Sequence, residues 1–458
     1  MKNRIAFYTF GCRLNQSETA VIERSFEQKG YSIVGFDDNP DIVVVNTCTV
    51  TENGDADTRQ LVKKINRLNP QARIALVGCQ AQIQKEKLAK LPNVRWVVGN
   101  AKKMDLAEII DETGESLLPQ VIAPTIPRDS FQSTIAGIDK NHTRANLKIQ
   151  DGCDFFCSFC EIPYARGRAR SRDFGNILWE AGELARAGHK EIILTGINIG
   201  TFANNGKTIS DVCDALETIS GIERIRISSI EPTTIPFELI ERMGKSKLCR
   251  HLHIPLQSGS NEILKSMRRK YTTEEFFDFV LKAHKTVPQV SIGTDIIVGF
   301  PGETDEHFQE TEEFVRNLPL SYLHVFRYSA RYVAKSRSFP NPVSPKVIKK
   351  RSELLRSLGH RKRQLFMEKF IGTVQNVLWE DEHDGLWSGL TDNYLRIKAL
   401  SKKSLANTFR PVYLQHIDQH CLTGQLQAAI PSQKILKNDS FASISAYNQN
   451  KGGESRFR

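Results

Sequence analysis

The chain has 458 residues, 40% of them hydrophobic, which is enough for two to four domains and a sizeable core. No apolar run approaches the ~18 residues of a membrane span, and MKNRIAFYTFGCRLN at the N-terminus lacks the apolar region and cleavage site of a secretory leader, so neither is expected. Nine cysteines in no paired pattern fit a reducing cytoplasm, and a net charge of +11 favours a polyanionic partner, RNA or DNA first, over a merely soluble basic protein.

The first hundred residues repeat one pattern three times. Arg4–Thr9, Asp41–Asn46 and Arg73–Val77 read as buried strands. Each is followed by a short turn holding a cysteine (Cys12, Cys48, Cys79), then by a helix from about Ser17, Asp55 and Gln84. Short β-branched runs alternating with helical patterns predict a parallel α/β sheet. Right-handed crossovers bring the three strand ends to one rim, where open α/β sheets bind ligands. Cysteine is common in cores, yet three at equivalent strand ends favour a metal site, with helix N-termini nearby to stabilise thiolates. Convergence of three suggests a cluster with one iron left free. Glu112 to Asp139 is rich in Pro, Ser and Thr, and reads as a partly extended connector that packs on the next domain.

From 144 to about 330 the alternation resumes. Strands are predicted at Ala145–Gln150, Glu191–Thr195, Arg224–Ser228, His251–Leu256, Val290–Gly299 and Tyr322–Tyr328, with helices such as Gly175–Ala187, Thr272–Thr286 and Asp305–Asn317. Six β/α units fit an open, partial barrel whose chemistry gathers at the strands' carboxyl ends. Directly after the first strand comes DGCDFFCSFCEIPYARGRARSR (Asp151–Arg172), with Cys153, Cys157 and Cys160 spaced C-x3-C-x2-C. Three thiolates on one loop can hold three irons of a 4Fe–4S cubane and leave the fourth open to a small bidentate ligand. Structural zinc usually takes four Cys/His ligands, and no fourth lies within ten residues downstream of Cys160. The other strand ends are polar: Thr195-Gly196-Ile197-Asn198, Ser228-Ser229-Ile230-Glu231-Pro232, Gln257-Ser258-Gly259 and Ile297–Glu303. Glu231 can accept from ribose hydroxyls, and Gly299 can let backbone approach an adenine. Each alone reads equally well as a turn; their recurrence on one rim gives them weight.

Residues 344–370 predict a basic amphipathic helix, with Leu354, Leu355, Leu358, Leu365 and Phe366 on one face and Lys349, Lys350, Arg351, Arg361, Lys362 and Arg363 around it. Arg166, Arg168, Arg170 and Arg172 form a second basic run. Both are candidate phosphate-tracking patches, weighed for the helix against an ordinary solvated face. From about 372 to 430 short strands with turn signals read as a small all-β barrel. Trp387, Tyr394 and Arg396 are candidate RNA contacts, with core packing the weightier reading for each aromatic. The polar tail from 431 is expected to be disordered. Cys213, Cys249 and Cys421 have no partners at motif spacing and read as core thiols.

The cysteine loop, with Phe159 and the following PYARGR, resembles the radical S-adenosylmethionine superfamily. Together with TFGCRLNQSE (Thr9–Glu18), NTCTVTENGDADTRQ (Asn46–Gln60) and VGCQAQ (Val77–Gln82), it is identified as a member of the methylthiotransferase family. GCRLNQ and SSIEP resemble the branch that modifies N6-threonylcarbamoyladenosine in tRNA, and residues 371–430 resemble the TRAM domain, an OB-like RNA-binding module. The resemblance implies an α/β chain: an N-terminal parallel-sheet domain (1–112), a linker (113–143), a partial (β/α)6 radical core (144–370), a small OB-like β-barrel (371–430) and a tail (431–458). It implies two 4Fe–4S clusters, a catalytic one on Cys153, Cys157 and Cys160 and an auxiliary one on Cys12, Cys48 and Cys79. S-adenosylmethionine is expected at Asn198, Ser229, Glu231, Gln257 and Gly299. Expected partners are the tRNA anticodon loop and an electron donor such as flavodoxin or ferredoxin, for a cytoplasmic monomer without a membrane. The implied reaction places a methylthio group at C2 of the modified adenosine. Alternatives are isopentenyladenosine, a ribosomal-protein aspartate, or a non-catalytic Fe–S protein that binds RNA. HVFRYSARYVAKS (His324–Ser336) departs from the family pattern at Arg327, Tyr332 and Val333, a stretch expected to shape the nucleobase pocket.

Overall fold

A computed structural model describes residues 3–49, 52–114, 118–138 and 143–427. The tail from 431 lies outside the described residues. An N-terminal sheet of six parallel strands runs in the order Ser32–Ile33, Arg4–Thr9, Ile42–Thr47, Arg73–Gly78, Val94–Val98, Gln120–Ile122. Ile42–Thr47 is buried at every position, as its unbroken aliphatic run requires of a strand covered on both faces. Helices begin earlier than the sequence suggests, at Arg13, Glu52 and Cys79. For the first and third the reason is a glycine: Gly11 (φ +94°) and Gly78 (φ +98°) reverse the chain in one left-handed step, so the helix starts at the cysteine.

The segment read as a connector contributes the sixth strand, Gln120–Ile122, and then runs onto the second domain. There Phe131 N donates to Ser171 O (3.3 Å), Ser133 N to Asn176 Oδ1 (2.8 Å) and Gly137 N to Glu180 Oε1 (2.6 Å), so its backbone groups are satisfied.

The second domain has six parallel strands: Arg144–Lys148, Glu191–Thr195, Arg224–Ile227, His251–His253, Ser291–Val298 and Tyr322–Arg327. The first three pair in order, as do the last three. Bridges at Ile225–Leu248 and Ser229–His253 stitch the halves. Among the described residues the first and sixth strands do not pair, which leaves a partial barrel open along one side. Helices Phe174–Arg186, Thr273–Thr286 and Asp305–Asn317 cover its outer face around one continuous aliphatic core. Thr272 and Thr304 start two of them with capping boxes. On the sixth strand, Leu323 and Val325 pack outward, Leu323 lying against Gly359 of helix Pro345–Glu368, so Tyr322, His324 and Phe326 face the lumen.

Five strands, Val374–His383, Leu386–Leu390, Arg396–Leu400, Phe409–Asp418 and Cys421–Leu426, close into the C-terminal barrel. Trp379, Trp387, Ile397, Val412, Leu414 and Leu422 fill it, so Trp387 packs in the core, the weightier of its two readings. This barrel sits beneath the larger one, at the amino ends of its strands. Arg224 donates to Leu390 O (3.0 Å) and Asn376 O (2.8 Å), and Arg226 to Asp392 O (2.9 Å) and Thr391 O (3.1 Å). Arg250 grips the Asp392 carboxylate with two bonds, at 2.7 and 3.0 Å. The loop Leu390–Tyr394 thereby forms a floor for the lumen. No described helix is long and apolar enough to cross a membrane.

Candidate active site

At the carboxyl end of the first barrel strand, Gly152 (φ +70°) turns into the cysteine loop; a Cβ there would lie 2.0 Å from Arg168 O. Ser158 pins the loop, donating from Oγ to Ser266 O (2.8 Å) and from N to Met267 O (3.0 Å) and accepting from Ser336 N (2.9 Å). Each of the three sulfurs receives a hydrogen bond: Phe155 N reaches Cys153 Sγ (3.5 Å), Ile162 N reaches Cys160 Sγ (3.4 Å) and Arg269 Nη1 reaches Cys157 Sγ (3.3 Å). Burial pushes the Cys153 thiol up to about 11, and Cys160 higher still, where the neighbouring thiols add to the effect. Three half-buried sulfurs with donors aimed at them are poor free thiolates and good cluster ligands, because iron supplies the compensating charge.

The N-terminal cysteines also converge. Register places Thr9 beside Asn46 and Thr47 beside Gly78, so the chains leading to Cys12, Cys48 and Cys79 leave three adjacent strand ends. Asn15 Nδ2 ties two of these ends, donating to Phe10 O (2.8 Å) and Thr47 O (3.1 Å). A Cβ on Gly11 would fall 2.7 Å from Cys48 Sγ, so only glycine fits that turn. Asn100 Nδ2 lies 3.6 Å from Cys79 Sγ and donates to Ala165 O (2.7 Å) of the second cysteine loop. Around this site the Gln80 side-chain amide, Asn46 Oδ1 and Asn100 Oδ1 are buried with no partner among the described residues. Orphaned polar atoms beside three cysteines fit a site built to hold a polar inorganic group.

A buried ionic network joins the two loops. Arg166 donates to Glu18 (2.9 and 3.0 Å), Asp151 Oδ1 (3.1 Å) and Asn15 Oδ1 (2.6 Å), while Lys103 and Lys148 also meet Glu18. Burial alone would raise the Glu18 pKa; Arg166, Lys103 and Lys148 hold it well below the usual carboxylate range. Arg170 bonds Asp151, and Arg172 pairs with Glu180. This corrects the reading of Arg166–Arg172 as a phosphate track: only Arg168 is substantially exposed, because the others neutralise buried carboxylates. A second network places Glu161, next to Cys160, against Thr49 Oγ1 (3.0 Å), Arg331 Nε (3.2 Å) and Val333 N (2.8 Å), with Arg331 continuing to Asp55 (2.7 Å). In the departing stretch, Tyr332 lies under Lys87 Nζ at 4.6 Å, against the N-terminal domain.

The residues expected at the cofactor differ in their surroundings. Asn198 Nδ2 is buried and unpartnered, while its Oδ1 accepts from Thr234 (2.9 Å). Ser229 is exposed at the rim. The Glu231 carboxylate, expected to meet ribose, is held by Arg269; burial raises its pKa and Arg269 opposes the rise. Gln257 adopts φ +71°, a left-handed conformation rare outside glycine, fixed by bonds with Asp295 O and Ile297 N. Gly299 has φ +79° and its N donates to Glu303; a Cβ there would strike Ile348 Cγ1 at 2.3 Å, so its bareness admits helix Pro345–Glu368.

Sequence reasoning missed the lumen. His253 Nε2 (2.9 Å) and His324 Nδ1 (3.3 Å) both meet Asp295 Oδ1, and Tyr322 Oη joins His253 to His251. Tyr394, read as an RNA contact, stands on the floor, its ring 4.5 Å from His251 and its Oη 2.7 Å from Arg13 Nη2. Burial would raise its phenol, but Arg13, Arg144, Arg226 and Arg396 bring it below the usual range. Alternation along the strands signals such inward residues only once the barrel's handedness is known. On helix Pro345–Glu368, Arg351 pairs with Glu303 and Asp305, and Lys362 caps the preceding helix at Leu318 O (2.7 Å), so both leave the predicted basic face, which keeps Lys349, Lys350 and Arg361 exposed. Cys213 and Cys249 are buried core thiols as read, while Cys421 is half-buried.

Two family models match the sequence: the Radical SAM superfamily over residues 147–315 and Uncharacterized protein family UPF0004 over residues 4–99. The threonylcarbamoyladenosine tRNA methylthiotransferase MtaB of Aquifex aeolicus is 39% identical over 89% of this chain and 99% of its own length. The Bacillus subtilis enzyme of the same name is 38% identical over 86% and 89%. A tRNA-2-methylthio-N(6)-dimethylallyladenosine synthase of Pelotomaculum thermopropionicum is 33% identical over 82% and 86%. Among solved structures, the radical S-adenosylmethionine methyltransferase TsrM of Kitasatospora setae shares the fold, with a TM-score of 0.52 at 16% identity over 71% of this chain and 75% of that one. With cysteine loops converging at the strand ends of both α/β domains, and relatives matching almost end to end, the chain belongs to the radical S-adenosylmethionine methylthiotransferases.

Proposed function

We propose that this enzyme places a methylthio group on C2 of N6-threonylcarbamoyladenosine in the anticodon loop of tRNA. The observation that carries this reading is the meeting of the three-cysteine loop Cys153–Cys160 with the three strand-end cysteines of the first domain, tied together by Arg166 at one end of a polar lumen. The C2–H bond is inert to acid–base catalysis, and two 4Fe–4S clusters with S-adenosylmethionine, when bound, supply the radical and sulfur chemistry that it requires. Cys153, Cys157 and Cys160 would hold the catalytic cluster, and Cys12, Cys48 and Cys79 the auxiliary one.

The protein's own work is positional. Arg269 keeps a positive charge beside Cys157 and fixes Glu231. Asn198, with its spare amide donor, and Gln257, on its strained backbone, orient the cofactor at the rim, where Ser229 is exposed. Arg166 and Asn100 set the separation of the two loops. In this reading residues 1–112, 144–370 and 371–430 act as sulfur-carrying, radical and RNA-holding parts, fed by a flavodoxin- or ferredoxin-type donor.

The test is iron and labile sulfide per chain after anaerobic reconstitution, with nucleoside analysis of tRNA. Wild type is expected to hold about eight irons and Cys157→Ala about four. The triple variant Cys12→Ala/Cys48→Ala/Cys79→Ala is expected to hold about four, to cleave cofactor and to form no methylthiolated nucleoside. About four irons in wild type, all lost in Cys157→Ala, would remove the auxiliary cluster from the account. A mass gain on isopentenyladenosine instead would move the substrate to the sister branch.

A further inference from the structure

We propose that the Arg13 guanidinium, at the lumen floor, receives a carboxylate carried by the substituent on the target nucleobase, and so selects an acidic substrate side chain over an apolar one. The inference rests on the N6-threonylcarbamoyladenosine reading above, whose substituent ends in a carboxylate.

Arg13 opens the helix Arg13–Gln28, and its side chain spans to the floor, where Nη2 donates to Tyr394 Oη at 2.7 Å. Its guanidinium carbon lies 5.8 Å from the Tyr394 ring centroid. The neighbouring arginines each meet a carboxylate: Arg144 and Arg396 share Glu380, Arg226 meets Glu191 and Arg250 meets Asp392. Arg224 spends its donors on Leu390 O and Asn376 O. Arg13 pairs with no carboxylate among the described residues, so the floor carries surplus positive charge.

A half-buried guanidinium with spare donors is costly to keep unless something fills them. The lumen wall formed by the sixth strand is open: His324 is 56% exposed at its side chain and Phe326 37% exposed. Asp295 fixes the His324 ring at 3.3 Å. An apolar substituent lying here would strip water from Arg13 and return nothing, and sites built around a polar partner reject analogues that lack it.

The experiment compares two anticodon stem-loops, one carrying N6-threonylcarbamoyladenosine and one carrying its primary amide, which has the same shape without the charge. Wild type is expected to favour the acid by about 10-fold or more in kcat/KM. Arg13→Gln should bring that ratio close to one, and Arg13→Lys should keep part of it. Iron content and anisotropy binding of both stem-loops are measured on each variant, so a loss of cluster is seen separately from a loss of discrimination. Equal use of acid and amide by wild type, which needs no variant, overturns the inference; so does a ratio that persists in Arg13→Gln. Wild type that modifies neither stem-loop fails the functional reading itself, and the inference falls with it.

Discussion

At Arg331 one guanidinium meets Asp55 and Glu161, two carboxylates from different domains, both shielded from water. Removing it leaves them facing each other without a counter-charge, a loss of about 3–5 kcal/mol where a buried pair is broken from one side. Arg331→Ala is therefore expected to lower the thermal midpoint of the cluster-free protein markedly, with Arg331→Lys intermediate because a point charge replaces a fork. A change below about 1 kcal/mol would show that water reaches the pair. This is also where the sequence was least informative. Arg166 and Arg172 look like cations available to phosphate, yet their partners Glu18 and Glu180 stand outside that run, just as Arg331 finds Asp55 in another domain. A run of charges shows its sign and not its pairing. The placing of the cysteines was legible for the opposite reason: their grouping follows from local spacing and from strand-end position.

Elements were read more easily than residues. The six barrel strands lie within about three residues of their expected bounds, because β-branched runs between helices leave little choice. The barrel helices likewise start within one residue of expectation, whereas those of the N-terminal domain start earlier, since at Gly11 and Gly78 a left-handed glycine shortens a turn without altering the hydrophobic pattern. The same property makes Gly299 a test of how helix Pro345–Glu368 docks. Gly299→Ala adds a methyl 2.3 Å from Ile348 Cγ1 at φ +79°. It should cost about 1–3 kcal/mol of overpacking with about 1–2 kcal/mol of backbone strain. Gly299→Ala/Ile348→Ala should recover the first and keep the second, read by chemical denaturation. Full recovery would mean that the left-handed turn carries no strain; no recovery would mean that the helix is not the obstacle.

For the whole molecule, Lys350 and Arg361 of this helix stay exposed to meet a polyanion after the paired cations are set aside, and Lys349 is held only by a surface pair with Glu353 at 4.0 Å. Replacing all three by Gln should weaken tRNA binding and make its dependence on salt shallower by about 0.7–0.9 in log–log slope for each phosphate no longer neutralised. An unchanged slope would place the RNA elsewhere.

The floor contributed by Leu390–Tyr394 makes the C-terminal barrel something other than a detachable handle. Arg224, Arg226 and Arg250 find their acceptors only in that barrel and its loop, apart from Glu191 and Gln289. A chain cut near 371 would not be a slightly weaker binder. It would be a shaft with its base removed and guanidiniums facing outward, prone to misassemble before any RNA arrives. Chimeras between relatives inherit the same constraint: whoever exchanges the C-terminal barrel, residues 374–426, also exchanges the bottom of the reaction chamber.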